Sequence, residues 1–105
     1  MVNIDTFKQL ALSFPGVEAQ PHFEKTSYRV KKKIFATHAP DSHIVCVKLS
    51  EIDQSVFCAF DKTIIYPVDN KWGKQGWTLV DLKKIRKEML KDLLATAYNC
   101  VGSKK

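Results

Sequence analysis

The sequence predicts a two-layer α+β fold. A mostly antiparallel five-stranded sheet carries helices on one face, in the order α-β-β-β-α-β-β-α. Three observations predict it. Helical periodicity is confined to three segments, one near each end and one in the middle. The segments between them alternate with period two or form short apolar blocks rich in β-branched residues. Strands come in runs rather than alternating with helices, which favours antiparallel neighbours with the helices gathered on one side. At 105 residues, positions 1–105 read as one domain whose single core needs neither disulfide nor metal.

Each element follows from its residues. Phe7, Leu10, Ala11 and Phe14 fall at i, i+3, i+4 and i+7, one helical face. Asn3 or Asp5 caps the start of that helix, and Pro15-Gly16 stops it. In "TSYRVKKKIFATHA", Tyr28 and Val30 alternate with Ser27, Arg29 and Lys31 before Ile34, Phe35 and Ala36 resume the pattern. That is a hairpin turning near Lys31-Lys32. "HIVCVKLS" is a third strand, and its nearly continuous apolar run predicts a central position. Ser50, followed three residues later by Asp53, resembles a capping box. Ile52, Val56, Phe57 and Phe60 form the packing face of the short helix that follows. "TIIYPV" is a fourth strand that Pro67 ends or pushes to an edge. "WTLV" is a fifth. The final helix places Ile85, Met89, Leu93, Ala97 and Val101 on one side with Leu90 and Leu94 beside them. It starts either at Asp81 or at a later turn near Arg86.

The composition narrows the chemistry. Seventeen Lys and Arg against eleven Asp and Glu leave a net charge of +6, which favours contact with phosphates and other polyanions. Cys46, Cys58 and Cys100 are odd in number and far apart, so they are expected as three free, buried thiols in a reducing cytoplasm. No stretch has the roughly 20 apolar residues of a membrane-spanning helix, and no signal peptide is evident. His22, His38 and His43 lack the spacing of a zinc site. The sequence shows no strained nucleophile elbow, phosphate-cradling glycine loop or paired acid and base. A non-enzymatic protein without cofactor is expected.

"SFPGVEAQPHF" followed by "YRVKKKIFA", then "WGKQGWTLVDL" and "LLATAYNCV", resembles the MmcQ/YjbR family over nearly the whole chain. The likeness is carried by Pro15-Gly16-Val17, Lys33-Ile34-Phe35-Ala36, Trp72-Gly73, Gly76-Trp77-Thr78 and the spacing of Leu94, Ala97 and Tyr98. The resemblance implies a fold similar to CyaY and to secretion chaperones, and DNA binding through wing-like hairpins. It brings no catalytic residues. Members of the family often carry glycine just before the "KIFA" segment, where this chain has Lys31 and Lys32. A tight two-residue turn of the primed type needs positive φ, which costs a lysine about 1 kcal/mol or more. The turn is therefore expected to be longer or of a different type.

Two functional classes follow. The first is DNA binding, mainly to the phosphate backbone and with low sequence specificity. It uses Arg29, the Lys31, Lys32 and Lys33 wing, and the loop carrying Lys71, Trp72 and Lys74. Trp77, which begins a strand, is expected in the core, and Trp72 between its lysines at the surface. The second is a protein-interaction module working through the open sheet face. Lysines at the wing also have a plain structural use, because charge on exposed strands discourages edge pairing.

Overall fold

The computed structural model describes residues 2–22, 25–39, 42–69 and 71–102, with His22 and Trp72 described by backbone alone. Helix α1 (Ile4–Leu12) starts at Asn3, whose Oδ1 accepts from the Thr6 N–H at 2.8 Å. Four strands follow: β1 (Glu18–His22), β2 (Lys25–Val30), β3 (Lys33–His38) and β4 (Ile44–Lys48). Helix α2 (Glu51–Phe60) is capped by Ser50, whose hydroxyl accepts from the Asp53 N–H and donates to the Asp53 carboxylate. Next come β5 (Ile65–Pro67), the one-turn helix α3 (Lys71–Lys74), β6 (Trp77–Asp81) and α4 (Lys87–Gly102).

The strands form one antiparallel sheet in the order β1-β2-β3-β4-β6-β5. The α+β class, the antiparallel pairing and the helix layer match expectation; the strand count does not. The sixth strand is β1, "EAQPH", which has no apolar alternation and contains a proline. Residues 18–21 are exposed, so pairing with β2 rather than burial holds this strand. Pro21 is tolerated because the strand lies at the sheet edge. The second departure is α3, a helical turn inside what reads as an irregular loop.

Tyr28, Ala36, Val45, Val47, Val80 and Ile65 point to one face and are fully buried or nearly so. Helix α4 covers β2, β3 and β4, with α1 beside it and α2 over β5. Its buried side is Leu90, Leu93, Leu94, Ala97 and Val101, as the periodicity predicts. The later start is the real one: the Leu90 N–H bonds to the Arg86 carbonyl, while Asp81 caps the preceding turn through the Lys83 N–H.

A β-bulge lies at Tyr28/Arg29, where Tyr28 faces Ala36 and Arg29 faces Ile34. The extra residue, Phe35, turns into the helix layer and meets Phe14 and Tyr98 edge-on. Tyr98 stacks on Phe14 with centroids 4.9 Å apart and donates to the Pro15 carbonyl, tying the end of α1 to α4.

Of the packing face expected of α2, Phe57 does pack against the core, but the other three residues face outward. Ile52, Val56 and Phe60 are 77%, 64% and 71% exposed. The inward face carries Gln54, Phe57 and Cys58 instead. Gln54 decides the orientation, because its amide donates to the Gly73 carbonyl, the Trp77 carbonyl and Thr78 Oγ1 at 2.9–3.2 Å. Turning Gln54 outward would give up all three of these hydrogen bonds, although the Gly73 and Trp77 carbonyls also accept from the Gly76 and Val68 N–H groups at 3.1 Å.

Candidate nucleic-acid interface

Register places the two basic loops at the same end of the sheet. Lys33 opposes Val30 across the hairpin, and Arg29 lies opposite Glu18. Because β4 runs antiparallel to β3, it ends at Lys48 on that same end, where Lys48 pairs with Trp77. The chain entering β6 at Trp77 comes directly from α3 and the Gln75-Gly76 turn. Arg29, Lys31, Lys32, Lys33, Lys71 and Lys74 therefore share one end of the molecule. The wing and the α3 loop are separated across it by roughly 12 Å, about two and a half strand spacings. Trp72 is in α3 by its backbone, and its side chain lies outside the described residues.

The wing is a two-residue turn. Lys31 and Lys32 both adopt left-handed backbone, with φ of 53° and 69°. The expected longer or different turn is not found: the tight turn is kept at the cost of positive φ on two lysines, and both are exposed at the tip. Arg29 is held by its Nε–H, which donates to Ser27 Oγ at 3.1 Å.

Lys48 is a member of this surface that the sequence reading missed. Its ammonium donates to the Gln75 carbonyl, and Lys33, Lys48 and Gln75 line one cavity of about 440 Å3. Its signal is an outward-facing lysine at the end of an apolar strand, directly before the turn into α2. Acidic groups share the end: Glu18 beside Arg29, exposed Asp69 before α3, and Glu51 with Asp53 at the start of α2.

Two glycines shape the α3 loop. A Cβ on Gly73 would overlap the Val68 carbonyl, and one on Gly76 would overlap the Leu49 carbonyl. Gly76 also has φ of 104°. The loop is therefore packed backbone to backbone against β5 and β4, with the Leu49 N–H bonded to the Gly76 carbonyl at 2.9 Å.

Trp77 is not in the core. Thr78 and Val80 are fully buried on the helix side, so strand alternation sends Trp77 and Leu79 to the open face. There Trp77 is half-buried and lines a second cavity of about 440 Å3 with Lys25, Ile34, Thr37, Cys46, Val68 and Leu79. Cys46 shares this face and so is not a core residue either. Burial pushes its thiol up to about 11, which keeps it protonated and a poor nucleophile. Cys58 is buried, Cys100 half-buried, and all three thiols are free.

Of the histidines, His38 is buried and accepts or donates only within the fold, with Tyr28 Oη at 2.9 Å and the Ala39 carbonyl at 3.2 Å. His43 lies 3.8 Å from the Asp81 carboxylate at the opposite end of the sheet. Among the described residues, no group of three or more His, Cys, Asp or Glu side chains is placed to hold a metal ion. No helix among them is long and apolar enough to cross a membrane.

Comparison with known proteins gives a family and a fold. The family model YjbR matches residues 12–100. Among solved structures, the chain is similar to Deinococcus radiodurans protein DR2400, whose crystal structure is described as that of a DUF419 domain. The TM-score is 0.80 at 19% identity, covering 93% of this chain and 77% of that one. None of the curated proteins matches.

Proposed function

The chain belongs to the YjbR family, and from the geometry of its basic end we propose that it binds DNA through the phosphate backbone. The observation that carries this reading is the wing tip. Lys31 and Lys32 occupy two successive left-handed positions, where glycine or asparagine would be relaxed. Each costs about 1–2 kcal/mol of backbone strain. Strain kept at an exposed tip, and filled with charge, points to a use for that charge. The α3 loop on the far side of Lys48 adds Lys71 and Lys74. A separation of roughly 12 Å lets the two loops reach the backbones flanking one groove.

Neither α3 nor α4 offers a recognition helix, and the exposed side of α2 is apolar. The apolar side of α4 is committed to the core, and α3 is a single turn. Phosphate contacts position a protein without reading sequence. Binding is then weak and nearly indifferent to sequence, roughly micromolar or poorer at physiological salt. The protein acts without catalysis, in the cytoplasm.

Titration with duplex DNA at several salt concentrations tests this. With three to five phosphates neutralised, log K should fall against log salt with a slope of roughly −3 to −4.5. Replacing Lys31, Lys32 and Lys33 together by glutamine should weaken binding and flatten the slope. No binding at low salt, or an unchanged slope in the triple variant, would reject the reading.

A second reading is supported by the open face. The cavity beside Trp77 and Leu79 is largely apolar, is bordered by Lys25, and opens on the sheet face that a chaperone-like module would offer to another polypeptide. Trp77→Ala separates the two, since it should weaken a protein contact and leave the salt slope on DNA unchanged.

A further inference from the structure

Ile52, Val56 and Phe60 form an i, i+4, i+8 ridge along the outer side of α2 and are 77%, 64% and 71% exposed. Folding of a single chain does not use this ridge, because Gln54, Phe57 and Cys58 already seat the helix against β5 and the α3 loop. We propose that the ridge is the interface of a symmetric homodimer, in which α2 of one copy packs antiparallel on α2 of a second.

The face is complementary to itself in shape. Beside the large ridge run Ser55 and Ala59, both exposed and both short. Large side chains along one i±4 row and small ones along the next give a ridge and an adjoining groove on the same helix. Two copies interdigitate by the commonest mode of helix packing. Val56, midway between Ile52 and Phe60, falls at the two-fold axis. Ile52 of each copy then meets Phe60 of the other.

Charge selects the antiparallel orientation. Exposed Glu51 precedes the ridge and exposed Lys62 follows it. Antiparallel packing sets Glu51 opposite Lys62 of the second copy, twice by symmetry. Parallel packing would set like charges together and align the helix dipoles. The ridge by itself is smaller than a standard interface, so its rim must contribute. The three ridge side chains expose roughly 400 Å2 in each copy, about half of what one partner contributes to a standard interface. Ser55, Ala59, Glu51 and Lys62 supply a rim. A patch of this size is in the range of the largest apolar patches on single chains, which are often functional.

The basic wing takes no part, so this inference stands apart from the DNA reading. Sedimentation equilibrium without DNA, from micromolar to submillimolar concentration, tests it. The wild-type chain should reach twice the 12.0 kDa chain mass as concentration rises. Val56→Asp should hold it at the single-chain mass, with its circular dichroism and thermal midpoint preserved because the position is exposed. Glu51→Lys and Lys62→Glu should each weaken the dimer roughly five- to tenfold, and combining them should restore wild-type affinity. The proposal is overturned if the wild type stays monomeric throughout, if Val56→Asp still dimerises, if the double reversal fails to restore affinity, or if mass grows past the dimer.

Discussion

Lys31 and Lys32 are the two described non-glycine residues with positive φ. Replacing them by Asn-Gly, the pair a primed turn prefers, should stabilise the fold by about 1 kcal/mol. Urea denaturation measures this, and a loss of stability would show that the lysines stabilise the turn in some other way. If the DNA reading holds, the same variant should bind DNA more weakly, so stability and binding move in opposite directions. A second residue-scale feature is the Tyr28–His38 pair, which stacks at 5.6 Å and lies edge-on to Phe7. Tyr28→Phe leaves a buried imidazole nitrogen without its partner and should cost about 1–3 kcal/mol. Burial pushes the Tyr28 phenol up to about 12 from 10.0. The folded state therefore holds its proton after the unfolded chain has lost it. The stabilisation is complete below pH 10 and is lost as pH rises toward 12. Stability of the wild type should fall over that window, and Tyr28→Phe should flatten the fall.

At the scale of elements, α2 shows how one polar side chain overrides an apolar pattern. Its periodic residues point to solvent because Gln54 shares its amide hydrogens among three oxygens of the α3 loop and β6. Gln54→Leu keeps the size and removes the donors. It should cost about 0.5–1.5 kcal/mol, the net worth of the lost hydrogen bonds, because the Gly73 and Trp77 carbonyls keep the Gly76 and Val68 N–H groups as donors. It should also speed hydrogen exchange at the Leu49 and Gly76 amides, which the same loop geometry protects. Unchanged exchange there would mean that the glycine packing alone holds the loop. The strand β1 shows the opposite case. Nothing in "EAQPH" marks a strand, and only the free edge of β2 makes it one.

Across the whole molecule, charge is divided along the sheet. The wing, Lys48 and the α3 loop occupy one end, while Lys83 and Lys84 lie beside Asp81 at the other. If the DNA reading holds, replacing Lys83 and Lys84 by glutamine should change affinity far less than the wing substitutions do, although both sets lower the net charge. Equal effects would mean that overall charge, rather than the basic end, attracts DNA.

The class of fold, the positions of α1, α2 and α4, the buried side of α4, the capping of α1 and α2 and the edge position of Pro67 were legible in the sequence, whereas the short α3 was not. Each is set by residues near one another in the chain, through periodicity or a local hydrogen bond. The seven candidate contact residues were named from the sequence as well, but not that both loops meet at one end, nor that Lys48 joins them. Strand order decides that, and strand order is a matter of which distant segments pair. Trp77, Cys46 and α2 were misplaced for a related reason. A strand or helix offers two faces, and a local pattern shows how residues divide between the faces but not which one the rest of the fold will cover. Only tertiary packing chose, burying Thr78, Val80 and Gln54 where their partners lay and leaving Trp77, Ile52, Val56 and Phe60 facing outward.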